Sequence, residues 1–506
     1  MPYSRATSVC LVGVEGHPVT VEVHIGSGPS CLIITGLPDA ALAQARVRVR
    51  SAVENSDLSF PDDHTVVNLL PAALPKSGTG CDLAIAVSLL AAAGLVPPAF
   101  DTGTVFLGEL GLDGKVRSVR GVLPCLLAAR RSGATRAIVS VDDLNEASLV
   151  PDVAVRGVSD LASLVEYLRG GGGLVSEVAP IEVAAPPLPD MRDVAGQERP
   201  RRAIEVAAAG GHHVFLLGPP GSGKTMLAER LPSLLPPLSD VEALETTSLY
   251  SVAGLLPESR PRLLRSAPLS APHHSTTMPA MIGGGSAPLR PGAASLAHNG
   301  VLFLDEAPEF KRPVLDALRQ PLESGEILVS RSQASCRFPA KVQLVLAANP
   351  CPCAAMAALA CRCSTSVRRR YLDRLSGPLL DRVDIRVDMP PVARAGLLIA
   401  GSAEPSAAIA ERVASARGAA RERWQQAGTA DFTNARAPGP LLRSEAFRLS
   451  PKATAPADRL LDTGQLTGRG YDSVLRLAWT LADLAGRTRP DSSDVAEATG
   501  LRLGHR

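Results

Sequence analysis

One stretch of this chain constrains its fold more than any other: Gly218-Pro219-Pro220-Gly221-Ser222-Gly223-Lys224-Thr225. It follows Val214-Phe215-Leu216-Leu217, an apolar run of strand length, and leads into Met226-Leu227-Ala228-Glu229-Arg230-Leu231, which reads as helix. Strand, glycine loop and helix in that order form a P-loop. The glycines let backbone N–H groups turn inward around phosphates, and the helix start adds partial positive charge. Lys224 is expected at the β- and γ-phosphates, and the Thr225 hydroxyl on Mg²⁺. A glycine turn arising by chance would not carry every fixed position, so the chain is expected to bind a nucleoside triphosphate, with Mg²⁺.

At 506 residues there is length for several domains. The formal charge of +2 commits the surface as a whole to neither nucleic acid nor membrane, so any such surface is local. Aromatic residues make up 3% of the chain, which argues against base-stacking platforms over most of it. No run approaches the length of a membrane span, and Met1-Pro2-Tyr3-Ser4-Arg5 lacks the apolar core of a signal peptide. A cytoplasmic protein without a membrane partner is expected, with Cys10, Cys31, Cys81, Cys125 and Cys336 as small buried thiols.

Residues 1–169 read as mixed α and β. Val19 to Ile25 alternates like a strand, Ala40 to Asn55 has helical spacing, and Cys81 to Ala93 is an apolar helix. The runs Pro75-Lys76-Ser77-Gly78-Thr79-Gly80-Cys81-Asp82, Gly108 to Gly114 and Val119-Arg120-Gly121-Val122-Leu123 resemble the proteolytic domain of the Lon family. That family uses a Ser-Lys dyad. By the resemblance the serine position falls on or beside Gly80 and the lysine position on Leu123, so both groups are missing. Lys76 and Ser77 lie nearby, but only an invented shift would make them a dyad. The domain is expected to be a scaffold or binding module, not a peptidase.

Gly170 to Gly173 and Ala184-Ala185-Pro186-Pro187-Leu188-Pro189 mark a linker over 170–190. Residues 191–390 carry the P-loop and, in order, Val301-Leu302-Phe303-Leu304-Asp305-Glu306, Gln343 to Asn349 and Gly377-Pro378-Leu379-Leu380-Asp381-Arg382. Gly468-Arg469-Gly470 follows in a helical region over 391–506. These features resemble the AAA+ ATPases. The resemblance implies that Asp305 holds Mg²⁺ through water, Glu306 orients the attacking water, and Asn349 acts as sensor 1. It further implies that Arg382 is an arginine finger for a neighbouring subunit and that Arg469 reaches the nucleotide from the lid. Asp193 to Gln197 would lie over the base. An exposed Asp381-Arg382 pair is the bland alternative for the finger.

The stretch between Thr225 and Asp305 is longer than a minimal core needs. It holds Ala271-Pro272-His273-His274 and Ile282-Gly283-Gly284-Gly285-Ser286. Paired histidines without a third ligand at suitable spacing carry no metal site, so this reads as a loop insertion that could project into a ring's pore. A hairpin is expected over Glu326–Ser330 and Ser335–Phe338, with a turn near Ser332-Gln333. Cys351-Pro352-Cys353 and Cys361-Arg362-Cys363 could bring four thiolates to Zn²⁺. They could equally be reduced cysteines in a solvated loop, and both readings stay open. Arg368-Arg369-Arg370 and Arg374 could meet phosphate backbones, although a solvated helix face is the commoner reason for such a run. Pro405 to Gln426 reads as a charged helix interrupted by Gly418, and a capped helix opens at Ser492.

With Gly36-Leu37-Pro38-Asp39, Ala271-Pro272-His273-His274, Ser295-Leu296-Ala297-His298-Asn299-Gly300, Arg319-Gln320-Pro321-Leu322 and Asn349-Pro350-Cys351-Pro352-Cys353, nearly the whole chain resembles the magnesium-chelatase-like ComM/YifB family. Ala354 departs from it, since the family usually has glycine there. The resemblance implies an α/β fold: a P-loop AAA+ core with a helical lid, preceded by a degenerate Lon-protease-like domain of the ribosomal S5 type. It also implies a homo-oligomeric ring, a hexamer, that hydrolyses ATP and moves branched or single-stranded DNA in recombination or natural transformation. The alternative is a motor subunit of a magnesium chelatase, although nothing here resembles the Asp-x-Ser-x-Ser metal motif of the subunits such a motor serves.

Overall fold

The computed structural model describes residues 2–36, 39–74, 76, 79–97, 103–176, 188–257, 262–285, 289–330, 335–355, 361–391, 403–429 and 433–504. The expectations on Leu37, Pro38, Ser77, Gly78, Ala184 to Pro187, Ser286 and the turn at Ser332-Gln333 lie outside those residues.

The N-terminal region is built on a long hairpin, β1 (Tyr3–Val12) and β2 (Glu15–Gly26), paired from Tyr3↔His24 to Val12↔Glu15. With β3 (Cys31–Thr35), β4 (His64–Leu70) and β5 (Thr104–Leu107) come a two-residue hairpin, β6 (Glu109–Leu110) with β7 (Val116–Arg117), then β8 (Arg136–Ser140) and β9 (Ala154–Val158). The main sheet runs β3-β4-β2-β1-β5-β8-β9. Period-2 alternation divides it between two layers. Val19, Val21, Val23 and Ile25 face the helices Asp39–Glu54 and Asp82–Ala92, while Val9, Val105 and Leu107 face Val122–Arg131. The Asp82–Ala92 helix is buried along its whole length, as its all-round apolar sequence requires. Asp82 at its start is held by Arg48 at 2.6 and 3.1 Å, and burial pushes its carboxyl up to about 6.

The middle region is a parallel sheet. Its strands are β10 (Val214–Leu217), β11 (Leu269–Ser270), β12 (Val301–Leu304), β15 (Gln343–Ala348) and β16 (Ile385–Asp388), in the order β11-β12-β15-β10-β16. Both faces are covered, which is why these strands read as unbroken apolar runs. Val214, Leu216, Phe303 and Val345 pack toward the helix Glu198–Gly210 and the lid, and Phe215, Leu302, Leu304 and Leu346 pack toward Asp240–Ala253 and Met278–Ile282. The hairpin β13 (Glu326–Ser330) with β14 (Ser335–Pro339) stands apart from that sheet.

The lid holds the helices Ser406–Gln426, Pro451–Asp462, Gly468–Leu484 and Ser492–Leu503. Trp424, Phe447 and Trp479 cluster within it at centroid distances of 5.2 to 6.3 Å. Gly418 does not interrupt the first helix. The expected break costs about 1 kcal/mol, and the buried stripe Ile409, Val413, Ala416, Ala420 and Trp424 outweighs it. Asp491, not a serine, caps the last helix. Cys31 is half-buried where full burial is expected.

Core and lid are tied by a buried polar relay. His212 bonds Asp384 at 3.1 Å and Thr480 at 2.8 Å, and Asn434 Nδ2 donates to Thr480 and Asp483. The N-terminal region docks through Val122–Arg131 against Asp240–Ala253. There the Ser251 hydroxyl donates to Glu146 at 2.5 Å, and the Leu123 N–H donates to the same oxygen at 2.7 Å.

Candidate functional site

A parallel sheet opens a crevice at the carboxyl ends of its strands, and that is where the chemistry-bearing residues gather. The P-loop leaves β10, Asp305 and Glu306 leave β12, and Asn349 leaves β15, so strand pairing alone brings them side by side. Gly218 passes so close to Met389 that a Cβ would meet its carbonyl at 2.6 Å, and Gly223 adopts φ +90° to start the helix Lys224–Arg230.

Lys224 is buried, with Nζ donating to the Gly218 carbonyl at 2.8 Å, the Pro219 carbonyl at 2.9 Å and Asn349 Oδ1 at 3.1 Å. Burial lowers its pKa, against the pull of Asp305 and Glu306. Among the described residues, no carboxylate bonds this cation directly, and the buried Ser222 hydroxyl beside it has no partner. Both features suit an incoming phosphate. The Thr225 hydroxyl donates to Asp305 at 2.7 Å, an oxygen pair of the hard kind Mg²⁺ takes. The other Asp305 oxygen accepts the Glu306 N–H at 2.8 Å and fixes Glu306 at φ +49°. The residues present therefore fit ATP and Mg²⁺.

Beside the loop lies a cavity of about 890 Å³ lined by Gln197, Arg202, Pro390, Glu497 and Leu501 among others. Gln197, at φ +54°, donates to the Ser222 and Pro390 carbonyls at 3.2 and 2.7 Å, so the segment expected over the base is fastened to the phosphate loop. Glu497 and Leu501 come from the last lid helix, a contribution the sequence does not signal.

Arg382 and Arg469 converge on a residue sequence reasoning missed. Both guanidinium groups reach Glu323 Oε1, Arg469 at 3.2 Å, and Arg382 also bonds the Pro378 carbonyl. These bonds, led by the one from Arg382, hold the Glu323 carboxyl below the usual carboxylate range. The Asp381-Arg382 surface pair does not form. Asp381 instead takes Arg502 at 3.1 Å and Arg469 at 3.8 Å, while the Arg382 side chain is only 11% exposed. None of these bonds touches the chain's own P-loop.

The four cysteines converge as well. The sulfurs of Cys351, Cys353, Cys361 and Cys363 all lie within 4.8 Å of one another, and three of the separations are 3.0, 3.5 and 3.4 Å. Ala354 follows at φ +50°, a conformation glycine adopts without strain. The Cys363 N–H holds the Cys361 thiol below its ordinary value. Ser364 then caps the helix Thr365–Leu372, which carries Arg368, Arg369 and Arg370 exposed.

Among the described residues of the Lon-like stretch, the side chains meet other partners. Leu123 is fully buried, and Lys76 spends its ammonium on the Pro71 and Leu74 carbonyls at 2.5 and 3.5 Å. Beside Gly80, the buried thiols of Cys81 and Cys10 meet at 3.2 Å. Among the described residues, no helix is long and apolar enough to cross a membrane.

Three stretches match family descriptions: residues 21–143 "Subunit ChlI of Mg-chelatase", residues 190–397 "Magnesium chelatase, subunit ChlI", and residues 403–502 the C-terminal part of that subunit. An uncharacterized protein of Mycobacterium tuberculosis is 50% identical over 502 residues, 99% of either chain. The competence protein ComM of Haemophilus influenzae is 40% identical over 506 residues, 99% of this chain and 96% of its own. YifB of Escherichia coli is 40% identical over 487 residues, 96% and 92% of the two chains. A shorter stretch of 154 residues is 26% identical to the Lon protease of Bacillus thuringiensis, 29% of this chain and 19% of that one.

Proposed function

Because this chain belongs to the magnesium-chelatase-like family of ComM and YifB, we propose that it is an ATP-hydrolysing AAA+ ring motor that moves branched or single-stranded DNA in recombination or natural transformation. The observation that carries the motor is the crevice itself, where Lys224 meets Asn349 and Thr225 meets Asp305. The DNA substrate is supported by the 40% identity to a competence protein and by the exposed arginines at 368–370.

Bound ATP with Mg²⁺ supplies the phosphoanhydride bond whose hydrolysis does the work. The backbone of Gly218 to Gly223 and the Lys224 ammonium would hold the phosphates, and Thr225 and Asp305 would hold the metal. Glu306 accepts the proton of the attacking water, and Asn349 keeps Lys224 and that water in line. Arg382 and Arg469, tied together by Glu323, act as one unit on the nucleotide of the adjoining subunit, where they offset charge developing in the transition state. That assignment makes the active form a homo-oligomer, a hexameric ring. Cys351, Cys353, Cys361 and Cys363 hold a structural Zn²⁺ that braces the turn between Asn349 and the arginine-bearing helix. Residues 1–169 serve as a scaffold joined through the 170–190 linker to the 191–390 core and the 391–506 lid.

The test is ATP turnover by the purified protein, alone and with single-stranded, duplex and four-way-junction DNA. Stimulation by DNA and junction unwinding, both lost in Lys224→Ala, are expected. Turnover indifferent to every DNA favours the second reading, a chelatase-type motor, which the family descriptions support over the same core.

A further inference from the structure

Two separate pieces of chain build a basic cleft whose described lining includes no residue assigned to the nucleotide. One wall follows Glu306: the turn Ala307–Glu309, then Lys311 and Arg312, anchored by Phe310, which is buried in the cluster that holds Leu302 and Leu304. The other wall is the helix Thr365–Leu372 and the turn after it. Ser364, next to Cys363, accepts the Val367 N–H and starts that helix, and Tyr371 is its buried residue. Arg374 fastens the walls together, donating to the Pro308 carbonyl at 3.3 Å and to Glu309 at 3.0 Å. The cleft between them holds about 660 Å³.

Four cationic side chains line it, Lys311, Arg312, Arg370 and Arg374, against the carboxylates of Glu309 and Asp373. Both acids have partners: Glu309 takes Arg374, and Asp373 lies 3.7 Å from Arg369. Arg312 has Asp316 at 3.7 Å. Among the described residues, that leaves Lys311 on one wall and Arg370 on the other exposed and without a carboxylate partner. A charged helix face alone needs no ligand, because its cations extend into water. Unpaired cations that line one cleft from two walls repel each other, and an anion between them relieves the repulsion. The lining also bears on which anion. Phe310 and Tyr371 are buried, and Arg374 lies over the Tyr371 ring at 5.9 Å, so neither ring is offered for a base to stack on. Arg368 and Arg369, exposed on the same helix, carry positive charge past the edge of the cleft. An extended polyanion uses such a continuation, and a single phosphate or carboxylate does not.

We propose that this cleft binds the sugar–phosphate backbone of a single nucleic-acid strand, with Lys311 and Arg370 gripping it from opposite walls. This rests on the DNA reading above and adds where the strand is held and by which of its groups. Contacts to phosphate position a strand and carry no sequence preference. The cysteine cluster ends at Cys363, so it sets the start of the helix that bears Arg370.

The experiment follows binding of labelled oligo(dT) to the full-length protein by fluorescence anisotropy over a series of salt concentrations. It compares wild type, Lys311→Ala, Arg370→Ala, the double variant and Lys311→Arg. Arg421→Ala, which removes an exposed arginine from the lid helix Ser406–Gln426, is the control. Thermal melting and oligomer mass are measured for each. Lys311→Ala and Arg370→Ala are each expected to weaken binding about threefold to tenfold. Each should also lower the slope of log K against log salt by about 0.7, the value for one phosphate contact on a single strand, and the double variant by about 1.4. Lys311→Arg keeps the wild-type slope. Wild-type affinity and slope in the double variant overturn the cleft and leave the DNA reading standing. A wild type that binds no oligonucleotide overturns both. Equal losses in Arg421→Ala reduce the effect to overall charge and overturn the cleft. Variants that no longer assemble assign it to a subunit contact instead. Polyglutamate that displaces oligo(dT) as readily as unlabelled oligo(dT) does overturns the nucleic-acid assignment in favour of an acidic protein.

Discussion

Two regions of this molecule, the turn after β10 and the stretch around Gly80 and Leu123, differ in what their polar groups meet. At the parallel sheet polar groups meet across the crevice, Lys224 with Asn349 and Thr225 with Asp305. In the N-terminal region the corresponding places hold Gly80 and the fully buried Leu123, and the nearby Lys76 is taken up by two backbone carbonyls. Both regions keep well-packed cores around their turns. Packing depends on apolar faces while chemistry depends on a few groups placed on them, so two regions can pack alike and still differ in what their polar groups can do.

The sharpest break of that comparison is Lys224→Ala. Removing the Lys224 ammonium from the crevice is expected to abolish ATP turnover, with a loss of about 10²-fold or more, whereas Lys76→Ala leaves turnover intact. Nucleotide binding and phosphate release by both variants check this. Equal losses would mean that the N-terminal site also serves catalysis. Casein cleavage by the wild type would overturn the contrast from the other side.

Glu306→Gln keeps the shape of the carboxylate and removes its basicity. Turnover is expected to fall by about 10²–10⁴-fold while ATP stays bound, which a retained-nucleotide assay on the isolated complex reads directly. A variant that binds no ATP would show that Glu306 shapes the pocket instead.

The four-cysteine cluster lies between the two regimes, neither emptied nor part of the crevice. Metal analysis is expected to find about one zinc per chain, lost in Cys361→Ser, with a lower melting temperature and a smaller response to DNA. Full metal content in Cys361→Ser, or none in the wild type, would count against the site.

How much of this was legible beforehand follows from distance along the chain. The P-loop, Asp305 and Asn349 each sit at the end of their own apolar strand, and the signal for each is contained in a few neighbouring residues. The uninterrupted helix through Gly418 was misjudged because its buried stripe faces helices that sequence does not place. Glu323 was invisible for a similar reason, being 59 residues from Arg382 and 146 from Arg469. The approach of His274 Nδ1 to 3.2 Å from Glu306 Oε2 was missed because β11 is two residues long and gives no periodic signal. Local patterns thus reported which groups the crevice owns, and only folding reported what holds each of them.

Smaller effects probe the joints between regions. At the joint of core and lid, Asp384→Ala removes the acceptor of the fully buried His212, at a cost on the order of 1–3 kcal/mol. Burial by itself would raise the Asp384 carboxyl, but the His212 hydrogen bond and the two imidazoles hold it well below the carboxylate range. A depressed acid stabilises the fold above its ordinary value of 3.8 and loses that contribution as pH falls further. The wild type should therefore lose stability more steeply than Asp384→Ala on the acid side, which melting curves at stepped pH would reveal.

The joint of the N-terminal region with the core gives the smallest expected effect and the finest test of the contrast. The Ser251 hydroxyl and the Leu123 N–H share one oxygen of Glu146, whose carboxyl burial pushes up. Leu123 thus lies in the first turn of the helix that docks on the core. Ser251→Ala leaves Glu146 its backbone donor and is expected to cost about 1 kcal/mol. If the N-terminal region is only a scaffold, ATP turnover per assembled ring should be unchanged while the melting temperature drops by a few degrees, as that cost implies. A change in turnover at constant assembly would instead mean that the N-terminal region acts on ATP turnover, transmitted from the Val122–Arg131 helix to Asp240–Ala253.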